Sequence, residues 1–335
     1  MVYVWSVPRD LERPQWKGQR PWYEIWFAVV LAADRRRALW LRQTLFVPRT
    51  GDGRATVWGA WFDADAAPPT RAAKRLVALT DVRIAEPGGE GTDAPLIAFG
   101  ESWLGRGGAD GGVPGLGWSV RWTGGHARGD DEVPAWLPAP THARRIARDA
   151  DARGHVELDG ARHAIAGRAT AMHLWGKRRI PTLHWIWSPW TGDGSLELQA
   201  VSLQDRFSLG FATLRLDAAG GGPRTEDSGL HRRPSSVSGR PATAAHASGL
   251  VTATVAGPRR LIHARAWAEP RELVGYAYRD TDDRDLMIAQ SDIGSAHFEV
   301  YARTAPGAPW RPVDERRVRG GVAVEIHQRA PLPEV

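Results

Sequence analysis

The stretch Ala171 to Trp190, AMHLWGKRRIPTLHWIWSPW, holds four tryptophans, two histidines and three consecutive cations. If Leu183 to Ser188 is extended, residues two apart share a face. Leu183, Trp185 and Trp187 then form an aromatic stripe, and His184, Ile186 and Ser188 point the other way. Gly176 permits a turn or a close backbone approach, and Pro181 separates the Trp-Gly element from the next strand because proline donates nothing to a sheet ladder. Such a stripe is either ordinary β core or, with His173 or His184 beside it, the wall of a ligand cavity.

Runs of the same kind recur along the chain. Trp22 to Leu31 sets Trp22, Glu24 and Trp26 on one face and Tyr23, Ile25, Phe27 and Val29 on the other. Arg37 to Pro48 sets Trp40, Arg42, Thr44 and Phe46 opposite Leu39, Leu41 and Leu45. If these two runs form a hairpin about Asp34 to Arg37, Glu24 and Arg42 are placed to meet across it as an ion pair. Thr56 to Phe62 brings Trp58 and Trp61, with Gly59 where a bulge or a ligand approaches the backbone. Pro68 to Lys74 reads as a loop or short helix, Leu76 to Ala85 as a strand, and Pro87 to Pro95 as a loop. Leu96 to Leu104 places Glu101 between Phe99 and Trp103 on one face. Gly105 to Gly115 is glycine-rich enough to be a mobile loop, and Leu116 to Thr123 carries Trp118, Val120 and Trp122 together. Thr141 to Arg153 is the one helix expected, capped by Thr141. Asp159-Gly160 is a two-residue hairpin signal leading into the Trp-rich stretch.

Leu196 to Leu203 and Phe207 to Leu216 read as a strand pair turning near Gln204-Asp205. Residues 218–247 are poor in large apolar side chains and rich in turn formers, which marks a linker. The expected division is therefore a first domain over 1–220 and a second over 221–335. Six further strands follow between Leu250 and Gln328, with Tyr276 and Tyr278 sharing one face. Short loops and few helices mean antiparallel β throughout, in meanders that close into barrels.

Composition bounds the function. The 335 residues contain 17 tryptophans and no cysteine, so neither disulfides nor thiolate metal sites hold the fold. Three lysines leave 41 arginines among 44 basic residues, interspersed with acids to a net charge of +6, and no basic helix or tail suggests nucleic acid as a partner. The amino terminus lacks the apolar run of a signal peptide, and Ile25 to Ala33 is far shorter than a membrane helix, so a cytoplasmic protein without a membrane span is expected. Dinucleotide, phosphate-loop, nucleophile-elbow and zinc-helix motifs are missing, and the histidines lack metal-ligand spacing. Neither a cofactor nor a metal is expected.

The ordered runs WYEIWF, ALWLRQTL, VWGAWFD, MHLWG and HWIW, with RAWAEPRELVGYAYRD, AQSDIGSAHFEV and VAVEIHQR near the carboxy terminus, resemble the AttH-like, carotenoid 1,2-hydratase-like superfamily. That resemblance implies two lipocalin-like β-barrel or β-sandwich domains packed together, with a hydrophobic substrate site in or between them. Relatives of this group hydrate carotenoids, cyclise tocopherol precursors or run Diels-Alder reactions on polyenes. In the hydratase and tocopherol-cyclase branches an Asp or Asn tends to precede the Trp-Gly pair. Leu174 stands there in this chain, which argues against proton-initiated hydration.

Three functions follow from the reading. The first is a cofactor-independent cyclase that folds a linear polyene, polyketide or isoprenoid for ring closure. Glu24, His173 and His184 would be its catalytic residues. Trp26, Trp40, Arg42, Trp58, Trp61, Glu101, Trp103, Trp118, Trp122, Trp175, Lys177, Trp185, Trp187, Tyr276 and Tyr278 would bind substrate. The second is acid-base chemistry on a prenyl or carotenoid-like lipid, with Glu24 or Glu101 as a protonated acid. The third is a carrier of an apolar small molecule that transforms nothing. The sequence leaves the oligomeric state open.

Overall fold

Alternation in Trp22 to Phe27, continued by the apolar run Ala28 to Ala32, yields a strand buried on both faces, and the architecture is built outward from it. The computed structural model describes residues 14–84, 95–125, 131–133, 139–180, 183–190, 194–203, 207–218, 221–231, 237–240, 249–256 and 259–328. The loop expected at Pro87 to Pro95 and the turn at Gln204-Asp205 fall almost wholly outside them.

The first sheet comprises β1 (Trp22–Ala32), β2 (Arg37–Val47), β3 (Arg54–Asp63), β4 (Thr70–Val77), β5 (Val82–Ile84), β6 (Pro95–Phe99), β7 (Ser102–Gly105), β8 (Gly108–Val113), β9 (Leu116–Thr123), β10 (Asp131–Val133), β11 (Thr141–Leu158) and β12 (Ala161–Gly176). Its strands run in the order β4-β3-β2-β1-β12-β11-β9-β8-β7-β6-β5, with β10 paired to β11. β3 and β4 touch β8, which nearly closes the sheet into an antiparallel barrel. The second sheet comprises β13 (Leu183–Trp190), β14 (Gly194–Leu203), β15 (Phe207–Ala218), β16 (Gly221–His231), β17 (Val237–Arg240), β18 (Gly249–Ala256), β19 (Arg260–Ala268), β20 (Val274–Arg279), β21 (Asp285–Ala302) and β22 (Arg311–Gln328). It runs β16-β15-β14-β13-β22-β21-β19-β18-β17, with β20 paired to β21. The all-β, two-unit lipocalin-like architecture is as expected.

Four expectations are corrected. The chain changes sheets between Gly176 and Leu183 rather than near residue 220, because β13 pairs with β22 and carries β14 and β15 into the second sheet. Residues 221–231 and 237–240, expected as linker, are strands of that sheet. Thr141 to Arg153 is strand, not helix. Its alternation is broken by register shifts between Arg145 and Ala150, with Asp149 at φ 50°, so period two is hidden and the good helix formers mislead. Gly105 to Gly115 is a loop only at its ends: Gly108 to Val113 form β8, and a Cβ on Gly111 would collide with Ser102 of β7, so glycine serves close strand approach there.

Three apolar layers result. Trp22, Trp26, Ala28 and Val30 of β1 turn into the barrel with Trp61, Trp118, Trp122 and Trp175. Val29 and Leu31, with Trp40, Trp58 and Phe62, turn outward and pack on Trp185, Trp187, Tyr276, Tyr278 and Leu286 of the second sheet. Ile186, Leu196, Phe298 and Val324 fill the second sheet's other face.

Candidate functional site: a cleft between the two sheets

The outer face of β1 leaves the middle layer incompletely filled. Tyr23, Ile25 and Phe27, with Trp40 and Arg42 of β2 and Met172 and Leu174 of β12, form one wall of a narrow cleft of about 60 Å³. Leu183, Trp185, Leu286, Glu325 and His327 of the second sheet form the other, and Thr141, Arg179, Ile180 and Gln199 complete the lining. The lining is mainly apolar, with polar groups at a few points, the usual make-up of a small-molecule site.

Those polar groups fall into two sets. Arg42 donates from Nη1 to the Tyr278 hydroxyl at 2.7 Å, and its guanidinium lies 4.7 Å from the Tyr278 ring centroid. Arg179 stacks against the same ring at 4.8 Å and against Tyr23 at 5.0 Å. Tyr23 shares a 2.7 Å hydrogen bond with Thr141, which donates to the Arg178 carbonyl. Burial pushes both the Tyr23 and the Tyr278 phenols above their ordinary range, so each stays neutral. In the second set His327 Nε2 is hydrogen-bonded to Glu325. Burial raises the Glu325 pKa, but the His327 bond and the charges of His327 and Arg42 outweigh it and hold the carboxyl below its ordinary value.

A buried ionic cluster fixes the second wall beside the cleft. Trp185 Nε1 donates to Glu197 at 2.8 Å, and Arg145 Nη2 donates to the same oxygen at 2.5 Å. Burial opposes ionisation of Glu197, yet Arg145 and Arg148 hold its carboxyl low. Trp187 Nε1 donates to Asp149 at 2.9 Å, and Ser195 donates to the other Asp149 oxygen. The irregular segment of β11 thus aims Arg145, Arg148 and Asp149 at β13 and β14, clamping one sheet to the other. Reading the segment as a helix concealed this role.

The structure redistributes the expected site residues. Trp40, Arg42 and Trp185 line the cleft, while Trp58, Trp187, Tyr276 and Tyr278 lie in the layer continuous with it. Tyr276 stacks on Trp40 with centroids 4.9 Å apart, and Trp58 meets both tyrosine rings edge-on. Glu24, His173, Trp26, Trp61, Trp118, Trp122 and Trp175 are inside the barrel instead. Glu24 and His173 are fully buried; Glu24 accepts from Trp22 Nε1 at 2.8 Å and Gln15 N at 2.7 Å, and lies 3.3 Å from His173 Nε2. His173 is sandwiched between Trp26 at 4.4 Å and Trp175 at 4.6 Å. These groups form a satisfied core network.

The expected Glu24–Arg42 pair does not form, because the register pairs Glu24 with Leu45 and Phe27 with Arg42, leaving the two charges on opposite faces. His184 is opposite Ile326 and shares the inner face of the second sheet with Ile186, away from the cleft; burial and the nearby His327 lower its pKa to about 4. Glu101 occupies the exposed turn between β6 and β7 rather than a strand face. Trp103 is half-buried with Arg121 over its ring, and Lys177 is exposed. Gly59 makes room for Trp118, whose ring would come within 2.8 Å of an added Cβ, so packing rather than a ligand requires it.

His327 and Glu325 were not singled out from the sequence, and Arg179 entered the reading only as the last of the three consecutive cations Lys177 to Arg179. The only signal for Arg179 was its place at the end of the Lys-Arg-Arg run, whose first two members are exposed while it is buried.

Sheet order and cleft define a two-sheet, lipocalin-like protein whose cleft lies between the sheets. The crystal structure of a provisionally assigned AttH protein from Nitrosomonas europaea matches 91% of this chain with 92% of its own, at a TM-score of 0.54 and 11% identity. At that identity the likeness speaks for the fold, which is the AttH type across both sheets. No family model and no curated protein matches the sequence.

Proposed function

We propose that this chain is an enzyme that takes an elongated unsaturated molecule into the cleft between its sheets and promotes ring closure by holding it folded. The observation that carries the reading is a mainly apolar cleft walled by Trp40, Phe27, Leu174, Leu183 and Trp185 with donors gathered near Tyr278. Ring closure of a polyene needs its reacting carbons held in contact, and a well-oriented intramolecular reaction gains roughly 7 to 11 kcal/mol from positioning alone. A donor such as the Arg42 guanidinium or the Tyr278 hydroxyl would polarise a conjugated carbonyl and lower the barrier further.

Proton-initiated hydration is the weaker reading. Glu24 and Glu101 do not reach the cleft, and Glu325, which does, is held ionised and so is a poor acid. Incubating the protein with linear conjugated trienes and tetraenes bearing a terminal carbonyl tests the proposal by product analysis. A changed rate or isomer ratio relative to buffer is expected. Saturable binding with the product ratio of the buffer blank would replace the enzyme reading with that of a carrier.

A further inference from the structure

One corner of the cleft brings two guanidiniums together without a carboxylate paired to either among the described residues. Arg42 and Arg179 are each 5% exposed, and their guanidiniums sit on the same tyrosine ring. Among the described residues neither guanidinium has a carboxylate oxygen within 4.0 Å; the nearest opposing charges act from farther off, Glu325 on Arg42 and Asp280 on Arg179. Glu325 is engaged by His327, and Asp280 accepts from the backbone N–H groups of Arg179 and Thr281. The two phenols supply no negative charge, since burial keeps Tyr23 and Tyr278 protonated. Burial and the charge of Arg42 pull Arg179 down to about 10, which leaves it cationic at neutral pH.

Hydrogen bonding is incomplete as well. Arg42 Nε and both Nε and Nη1 of Arg179 are buried without an acceptor. Unpaired buried donors and like charges side by side are both destabilising, so a purely structural role would be expected to supply acceptors. A planar anion entering from the cleft would satisfy these donors and neutralise charge in one step, because a guanidinium edge matches two oxygens that share a charge.

We propose, building on the cleft assignment above, that Arg42 and Arg179 form a head-group subsite and that the ligand is an apolar chain ending in a planar two-oxygen anion, either a carboxylate or the enolate of a 1,3-dicarbonyl. Its tail then lies along Ile25, Phe27, Leu174 and Leu183, and its head against the two guanidiniums.

Quenching of tryptophan emission in the full chain tests this with three probes of matched tail: a conjugated polyenoic acid, its methyl ester, and a 2-acylcyclohexane-1,3-dione. The acid, the dione or both are expected to bind the wild type at least about tenfold more tightly than the ester. Whichever anion binds better identifies the head group. Arg42→Gln and Arg179→Gln should each erase that preference by weakening the anions at least about tenfold more than the ester, with circular dichroism reporting the fold. Equal affinity of both anions and the ester in the wild type overturns the subsite and leaves the apolar cleft standing. A preference that persists in both folded variants overturns the assignment to these arginines, and failure of every probe to bind overturns the cleft reading itself. The wild-type comparison needs no variant, so a misfolded substitution does not decide the matter.

Discussion

The interior of the barrel and the cleft beside it are made of the same residue types and differ in how completely they are satisfied. Inside the barrel, Glu24 has bonds from Trp22 and Gln15 with His173 beside it, and the histidine is stacked on two indoles. In the cleft, Arg42 and Arg179 keep buried N–H groups without acceptors, and the space between Leu174 and Leu183 is open. Buried charge and aromatic rings therefore do not by themselves mark a ligand site. Leftover hydrogen-bonding capacity next to empty volume is what separates the cleft from the filled interior.

The contrast is broken most directly by truncation. Trp26→Ala, in the filled interior, should cost about 3 to 5 kcal/mol in denaturant-measured stability. Loss of less than about 1 kcal/mol would show the barrel to be as loosely packed as the cleft. Glu197→Gln leaves Arg145 buried beside a neutral partner and should cost about 3 kcal/mol in denaturant-measured stability.

Two buried titrating groups sharpen the same contrast between filled layers and open cleft. Burial, with Glu325 nearby, raises Asp292 to about 7, so between its unfolded value near 3.8 and pH 7 the folded state holds a proton the unfolded state has lost, and stability falls as pH rises. His184, lowered to about 4, does the reverse: between pH 4 and 6.5 the unfolded chain binds the extra proton, and stability rises with pH. The two slopes, each at most about 1.4 kcal/mol per pH unit, oppose one another from roughly pH 4 to 6.5. Relative to wild type, Asp292→Asn should make stability climb more steeply with pH across that window, and His184→Phe should make it fall. Identical pH profiles for the two variants would sink this assignment.

Filling the cleft should have the smallest effect on folding and a large one on binding. Leu174→Trp is expected to change stability by no more than about 1 to 2 kcal/mol, while weakening polyene binding at least about tenfold. Undiminished binding in that variant would put the ligand elsewhere.

Much of the architecture was legible. Tyr23, Ile25 and Phe27 alternate with Trp22, Glu24 and Trp26 in the sequence as they do in β1, and Asp159-Gly160 makes the expected hairpin, with both residues at positive φ. The site was legible only in pieces. Trp40, Arg42 and Trp185 were named for it, but Glu24 and His173 were named on the same grounds and belong to the core. Alternation shows which residues share a face without showing which face meets empty space. The charges of Glu24 and Arg42 looked paired until the β1–β2 turn set a register that puts them on opposite sides of the sheet. In β11 the signal itself was absent, because the register shifts between Arg145 and Ala150 erase the period that identifies a strand.

Local periodicity and turn chemistry in the sequence determined that this chain is all-β and rich in aromatic strands, because those properties depend on neighbours a few residues apart, while the two lipocalin-like units were implied by the family resemblance. Only the tertiary structure decided where the chain changes sheets, which tryptophans are core and which are wall, and that Arg42 and Arg179 share one tyrosine ring. Those outcomes depend on strand register and on contacts between residues more than fifty positions apart, such as Arg42 with Tyr278 and Arg145 with Glu197 across the two sheets, which no short window of sequence contains.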